Sequence, residues 1–206
     1  MAGKQSYINK EMFKTTMSIA FLKQSLSEPK SIGAITESSE ELTQCIVSMA
    51  SLHSAKTVIE LGSGTGVFTE EIVNNIRPDT LFFALETNPH FVEKTKERCP
   101  DALIYHASAT EICRYLELHG KKNADTIISS LPFASFDEEL QIKILQEIRD
   151  SLSNNGEFLT FAYIHSILLD EGKKFAKQLH AHFSQIRKSE IIWKNMPPAF
   201  VYYCKK

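Results

Sequence analysis

Three observations predict an α/β fold built on a mostly parallel sheet. From about residue 38 onward, segments of helical periodicity alternate with short apolar, β-branched runs. One such run, Val58-Ile59-Glu60-Leu61, passes straight into Gly62-Ser63-Gly64-Thr65-Gly66 and then into a helical pattern, the strand, turn and helix order of a ligand-binding βα unit. The last two strand-like runs are joined by too few residues for a parallel crossover, so they are expected to pair as an antiparallel hairpin.

Two helical segments come first, at about residues 7–26 and 39–52, separated by Ser27-Glu28-Pro29-Lys30. In the first, Ile8, Met12, Ile19, Leu22 and Leu26 form one apolar stripe, and Phe13, Met17 and Phe21 form a second on the far side, flanked by Lys10 and Lys14. A helix packed on a core needs only one stripe, which leaves the second for a lipid interface, a partner or a deeper groove. Strands are predicted over Thr57–Leu61, Leu81–Glu86, Ala102–His106, Asp125–Ser129, Glu157–Tyr163, Ser189–Trp193 and Phe200–Cys204. Helices are predicted over 67–76, 89–98, 110–118, 137–152 and 166–183. In 137–152 the residues Leu140, Ile144, Leu145, Ile148 and Leu152 share one face, Asp137 stands at the N-cap, and Asn155-Gly156 is expected to stop the chain beyond the last turn. Met196-Pro197-Pro198 is the short connection of the final hairpin.

With 206 residues, 43% hydrophobic and 23% charged, the chain can bury a sizeable core without disulfides or a structural metal. Cys45, Cys99, Cys113 and Cys204 form no CxxC pair and read as reduced thiols of a cytoplasmic protein. His180 and His182, the one close histidine pair, are two apart on a helix and point roughly 160° away from each other, so no metal is implied. A net charge of −2 disfavours nucleic acid as a partner. No apolar run approaches the roughly 20 residues of a membrane span, and the N-terminus lacks the features of a signal peptide. Charge is uneven, however. Residues 1–36 carry five lysines against two glutamates, or +3, which leaves −5 for residues 37–206. Two units are therefore expected, an N-terminal helical arm over 1–36 and a catalytic domain over 37–206, with the arm meeting an anionic surface or presenting a solvated helix face.

The glycine loop carries the strongest local signal. Gly62 and Gly64 allow a tight turn pressed against a ligand, and Gly66 lets the helix start close to the strand. A dinucleotide site favours GxGxxG, whereas here the third glycine comes one residue early. Glu60 places a carboxylate beside the loop, which repels phosphate but suits the ammonium of S-adenosylmethionine. Strand two ends in Glu86-Thr87-Asn88-Pro89, where the Glu86 carboxylate can accept from both ribose hydroxyls or else cap the next helix. The third strand runs into Ala107-Ser108-Ala109, with Ser108 either at the adenine or capping the helix that follows. The fourth strand leaves the sheet at Ser129-Ser130-Leu131-Pro132-Phe133, beside the switch point where ligands bind in open α/β sheets. There the proline stiffens a turn whose carbonyls can accept from an amine, and the Phe133 ring can face a cation, or the turn can simply tuck its hydrophobes under a helix. Tyr163, at the end of strand five, is either at the edge of the same pocket or in the core.

The alternation closed by a hairpin resembles the class I methyltransferase fold, a Rossmann-like, seven-stranded sheet, here with N-terminal helices. The Ser129–Phe133 turn resembles the Asn-Leu-Pro-Tyr or Asn/Asp-Pro-Pro-Tyr turn of amino methyltransferases. These features, together with Phe21-Leu22-Lys23-Gln24, Pro29-Lys30-Ser31-Ile32-Gly33-Ala34-Ile35, Ser38-Ser39 and Trp193-Lys194-Asn195-Met196-Pro197-Pro198-Ala199, resemble the bacterial phospholipid N-methyltransferases nearly end to end. Thr36-Glu37 and Ser130 depart from the family pattern, which leaves another aminolipid or a soluble amine open as substrate. The resemblance implies methyl transfer to a phospholipid amine such as that of phosphatidylethanolamine, and peripheral membrane association through residues 7–26. It also implies a cofactor site formed by Glu60, Gly62, Ser63, Gly64, Thr65, Gly66, Glu86, Thr87, Ser108, Ala109 and Ser129, and a reaction site formed by Ser130, Leu131, Pro132, Phe133 and Tyr163. Two other readings are an rRNA adenine dimethylase, which calls for a basic surface and a further C-terminal helical domain beyond Lys206, and a non-catalytic protein that binds S-adenosylmethionine.

Overall fold

Apolar runs buried on both faces form the middle of the sheet, and amphipathic segments form the helices that cover it. The computed structural model describes residues 38–206; the expected 7–26 helix, its two stripes and the 1–36 unit lie outside the described residues. The helices are α1 (Glu40–Met49), α2 (Val67–Asn75), α3 (Pro89–Arg98), α4 (Ile112–Leu118), α5 (Glu138–Ser151) and α6 (Asp170–His182). The strands are β1 (Thr57–Leu61), β2 (Leu81–Glu86), β3 (Leu103–His106), β4 (Ala124–Ser129), β5 (Leu152–Tyr163), β6 (Gln185–Lys188) and β7 (Ala199–Lys205). They form one sheet in the order β3-β2-β1-β4-β5-β7-β6. The pairs from β3 to β5 are parallel, and β7 lies antiparallel between β5 and β6.

Alternation along the strands divides the core in two. On one face Ile59, Leu61, Phe83, Ile127 and Phe158 pack against Ile112 and Leu116 of α4, Ile144, Leu145 and Ile148 of α5, and Phe175 and Leu179 of α6. On the other, Val58, Ala84, Ile128 and Leu159 pack against Leu42 and Ile46 of α1, Phe68 and Ile72 of α2, and Val92 of α3. Because the chain winds outward from β1 to β3 and then returns to lay β4 on the other side of β1, a crevice opens at the carboxyl ends of β1 and β4.

Local chemistry fixes the helix starts. Asp137 accepts the Leu140 amide at 2.9 Å, as expected, and Ser39 does the same for Leu42 at 3.2 Å. Three details differ from the sequence reading. First, α5 gives way to β5 at Leu152, so Asn155-Gly156 does not end the helix. These residues instead take up a register slip between the Ala124–Leu152 and Thr126–Glu157 pairs. Second, the sixth strand is Gln185–Lys188 and not Ser189–Trp193. This mostly polar edge strand gives little apolar signal, whereas beyond Ser189 the chain keeps only a bridge from Ile192 to Ala199. The hairpin is antiparallel as expected, but its connection runs from residue 189 to 198.

Third, the Phe133 ring does not face a ligand crevice. A short 3₁₀ turn at Phe133–Ser135 carries it into the core, where it is 3% exposed and stacks on Phe175 with centroids 4.4 Å apart. Phe158 and Phe136 meet it edge-on. A ring enclosed in this way cannot reach a substrate cation, so its removal should be felt as lost packing. Phe133→Ala is expected to cost about 3–5 kcal/mol of unfolding free energy in denaturant titration.

Candidate active site

The glycine loop is a sharp turn held by hydrogen bonds from both sides. Gly62, Gly64 and Gly66 all have positive φ, at 81°, 54° and 86°, and the Gly66 amide closes the turn on the Ser63 carbonyl at 2.9 Å. A Cβ on Gly62 would stand 3.0 Å from Leu131 Cδ2 and 3.1 Å from Ser130 Oγ, so that glycine admits the turn after β4. A Cβ on Gly66 would press on Thr95 and Arg98, which shows that this glycine makes room for α3 and not for the β1 strand. A Cβ on Gly64 would meet nothing within 4 Å among the described residues, none of which covers that face of the loop. Thr95, not singled out in the sequence, braces the loop from α3, its hydroxyl lying 3.0 Å from Ser63 Oγ and 2.9 Å from the Gly64 carbonyl. Arg98 donates to the Thr65 carbonyl at 3.1 Å and pairs with Glu70 at 3.2 Å.

Two carboxylates stand beneath and beside this loop. Glu60 is fully buried; Thr69 donates to its Oε2 at 2.6 Å, while its Oε1 has no hydrogen-bond partner among the described residues. Burial, reinforced by the nearby Glu86 charge, pushes its carboxyl up to about 8. Glu86 accepts the Gly64 amide at 3.1 Å on Oε2 and the Asn88 amide at 2.8 Å on Oε1, holding the glycine loop against the end of β2. Asn88, not Glu86, caps α3, by accepting the His90 amide. Each Glu86 oxygen keeps lone-pair capacity for a further donor. Thr87 is exposed, and its carbonyl lies 2.9 Å from His106 Nε2.

Ser108 belongs to a capping box: it accepts the Thr110 amide at 3.2 Å, and the Glu111 side chain accepts the Ser108 amide at 3.1 Å. Neighbouring Ala109 is buried in the core. At β4, Ser129 is fully buried and accepts the Leu131 amide at 3.2 Å. Ser130 locks the two functional turns together, since its amide donates to the Leu61 carbonyl at 3.0 Å and its hydroxyl donates to the Gly62 carbonyl. Within the turn, the Leu131 and Pro132 carbonyls are taken by the Phe133 and Ser135 amides. The Ser130 carbonyl accepts none among the described residues. Glu60, Glu86, the glycine loop and the Ser129–Pro132 turn thus come together at the carboxyl edge of the sheet, while Phe133 turns away into the core.

Tyr163 ends β5 on the same sheet edge, half-buried, with burial raising its phenol. An aromatic row passes through it: Phe68 stacks on Phe161 at 5.9 Å, Phe161 meets Tyr163 edge-on at 5.6 Å, and Tyr163 lies parallel to His165 at 5.5 Å. Burial lowers His165, which favours its neutral form. The i, i+2, i+4 spacing of Phe161, Tyr163 and His165 was the sequence signal for this row, and Phe68 reaches it only through the packing of α2.

The elevated Glu60 carboxyl has a direct consequence for stability. Below its ordinary value of 4.5 both folded and unfolded chains carry the proton, but between there and about 8 only the folded chain does. Stability from this group is therefore full at acid pH and declines as pH rises toward about 8. Glu60→Gln should flatten that decline, measured as the difference in Tm between pH 5.5 and pH 8.5.

The sequence matches the methyltransferase domain family over residues 52–198. It is 26% identical over 188 residues to an ornithine lipid N-methyltransferase of Singulisphaera acidiphila, covering 90% of this chain and 94% of that one. The fold resembles a precorrin-6y C5,15-methyltransferase of Geobacter metallireducens, with a TM-score of 0.65 at 16% identity over 87% of this chain and 95% of that one. It also resembles the N-methyltransferase NodS of Bradyrhizobium japonicum, with a TM-score of 0.61 at 10% identity over 81% and 92% of the two chains. The site fits S-adenosylmethionine on its own terms: an unpartnered buried oxygen on Glu60, an open loop face at Gly64, and spare acceptor capacity on Glu86. The chain belongs to the methyltransferase domain family and is an S-adenosylmethionine-dependent methyltransferase of class I fold.

Proposed function

We propose that this enzyme methylates the primary amine of a membrane-lipid headgroup, with phosphatidylethanolamine as substrate. The observation that carries the lipid-amine reading is the 26% identity, running over 90% of the chain, to a relative named for N-methylation of ornithine lipid. The geometry supports an amine acceptor because the Ser129–Pro132 turn, which resembles that of amino methyltransferases, is bonded directly to the glycine loop. Phosphatidylethanolamine follows from the family resemblance of the sequence, and ornithine lipid is the competing headgroup. Docking of residues 7–26 on an anionic membrane surface and the division of the chain at residue 36 belong to the same proposal.

The bound cofactor supplies an electrophilic methyl on a sulfonium whose departing sulfur needs no acid. What remains for the protein is to hold an amine neutral and aimed. A free alkyl amine has a pKa of about 10, so the substrate must lose a proton before it attacks. The Ser130 carbonyl is an acceptor for an amine N–H, and Pro132 stiffens the turn by restricting Leu131 just before it. Leu131, half-buried against Gly62, excludes water from the junction of the two turns. The Tyr163 phenol, protonated at neutral pH, offers a lone pair and not a strong base. Proton loss to water before binding, followed by alignment, accounts for the chemistry with no stronger base required. In this proposal Glu60 receives the ammonium of the cofactor, Glu86 the ribose hydroxyls and the backbone of Gly62–Gly66 the methionyl end, while Thr87, Ser108 and the backbone of the buried Ala109 and Ser129 lie on the adenosine side.

Labelled S-adenosylmethionine offered with phosphatidylethanolamine, ornithine lipid and total RNA in parallel should place counts in phosphatidylethanolamine. Counts only in ornithine lipid would move the headgroup, and counts only in RNA would end the lipid reading. Glu86→Ala should weaken cofactor binding by about 1.5–3 kcal/mol, measured by calorimetry.

A further inference from the structure

Eight large hydrophobic side chains are exposed among the described residues, and five of them lie on two segments: Ile167 and Leu168 after β5, and Ile191, Trp193 and Met196 before β7. Leu168, Trp193 and Met196 are 78%, 69% and 72% exposed. The segments are neighbours in space. The Ile164 amide donates to the Pro198 carbonyl at 2.9 Å, and Tyr163 and Ala199 are register partners. Since β7 runs antiparallel to β5, the end of one strand and the start of the other meet at the sheet's carboxyl edge, where the glycine loop and the Ser129–Pro132 turn also lie. Scattered exposed hydrophobes are ordinary on protein surfaces, but a cluster on the functional edge is not.

The loop bearing Trp193 and Met196 is firmly built. Asn195, 3% exposed, accepts the Ser39 amide at 3.0 Å and donates to the Pro197 carbonyl at 2.7 Å, and Lys194 pairs with Glu41 at 3.0 Å. Apolar side chains held outward by a buried asparagine have not been left exposed by a loose loop. Charge does not mark the patch: across 164–173 and 188–198, Lys173, Lys188 and Lys194 balance Asp170, Glu171 and Glu190.

We propose that the loops 164–168 and 189–198 form a membrane-docking face, with Leu168, Trp193 and Met196 inserting at the headgroup boundary of a bilayer. The inference rests on the lipid-amine reading, which supplies the reason for a bilayer as occupant. A headgroup amine can be reached while its acyl chains stay in the membrane only if the edge that opens the site also faces the lipid. An indole flanked by flexible apolar chains suits that boundary, where one side is apolar and the other wet. Because the face is charge-balanced, its attachment is set by buried apolar area and not by anionic lipid. This separates it from any contribution of Lys10 and Lys14.

Trp193 is the only tryptophan in the chain and reports on the face directly. With the full-length protein and zwitterionic phosphatidylcholine vesicles carrying brominated acyl chains, its emission should shift to the blue and be quenched, equally at low and high salt. The Leu168→Ser, Met196→Ser double variant should bind these vesicles about tenfold or more weakly, while methylating detergent-dispersed aminolipid at the wild-type rate. Unquenched Trp193 on vesicles that carry bound protein overturns the proposal. So does a blue, lipid-independent emission, which would mean that residues 1–37 or a second copy of the chain covers the face. Methylation of dispersed aminolipid without quenching overturns the docking face alone; no methylation of any lipid overturns the reading beneath it.

Discussion

The site depends on one constraint: the carboxyl ends of β2, β1 and β4 must stay in register so that three turns converge. The hydrogen bonds that impose it are few. Gly62 donates to Leu85, Ser130 to Leu61 and Gly62, and Gly64 to Glu86. Together they tie the ends of neighbouring parallel strands and the loops that follow them, so a slip between strands would move the glycine loop and the Ser129–Pro132 turn apart. The buried runs of β1 and β4 fix the register, since a one-residue shift would carry Glu60 to the opposite face and out of reach of Thr69.

Glu60 shows how burial and function pull against each other. A fully buried carboxyl with one oxygen unpartnered among the described residues is costly to ionise in the free protein. Glu86 accepts two backbone amides and gives the loop its shape, whereas one Glu60 oxygen has no donor among the described residues. Two carboxylates beside the same turn thus differ through environment alone.

Much of this was legible in the sequence. Strands β1, β2 and β4 were legible because strands buried on both faces carry short apolar runs, Val58-Ile59, Leu81 to Leu85 and Ile127-Ile128, and the glycine spacing located the loop. Asp137 announced α5 through elementary capping chemistry. The polar strand Gln185–Lys188 was not legible, because an edge strand exposes most of its side chains and buries almost nothing that a pattern can register. The direction of the Phe133 ring was equally hidden. A Leu-Pro-Phe turn fits either outcome, and the choice was made by Phe175, 42 residues further along the chain. Ser108 fitted both a cap and an adenine contact; the cap is formed, and the adenine contact belongs to the proposal.

The placement of β7 bears on how the chain acquires this fold. Six of the seven strands are synthesised before it, yet it takes an interior position between β5 and β6. Until it arrives, β5 presents an unpaired edge beside the reaction site, and β6 has no strand to join. The antiparallel pairings of β5 and β6 can form only once β7 is available, through contacts such as Glu157 with Lys205 that close long loops. A nascent or partly unfolded chain would carry a sticky, half-finished sheet edge, open to pairing with another copy of itself. Once paired on both sides, β7 covers the β5 edge against such pairing.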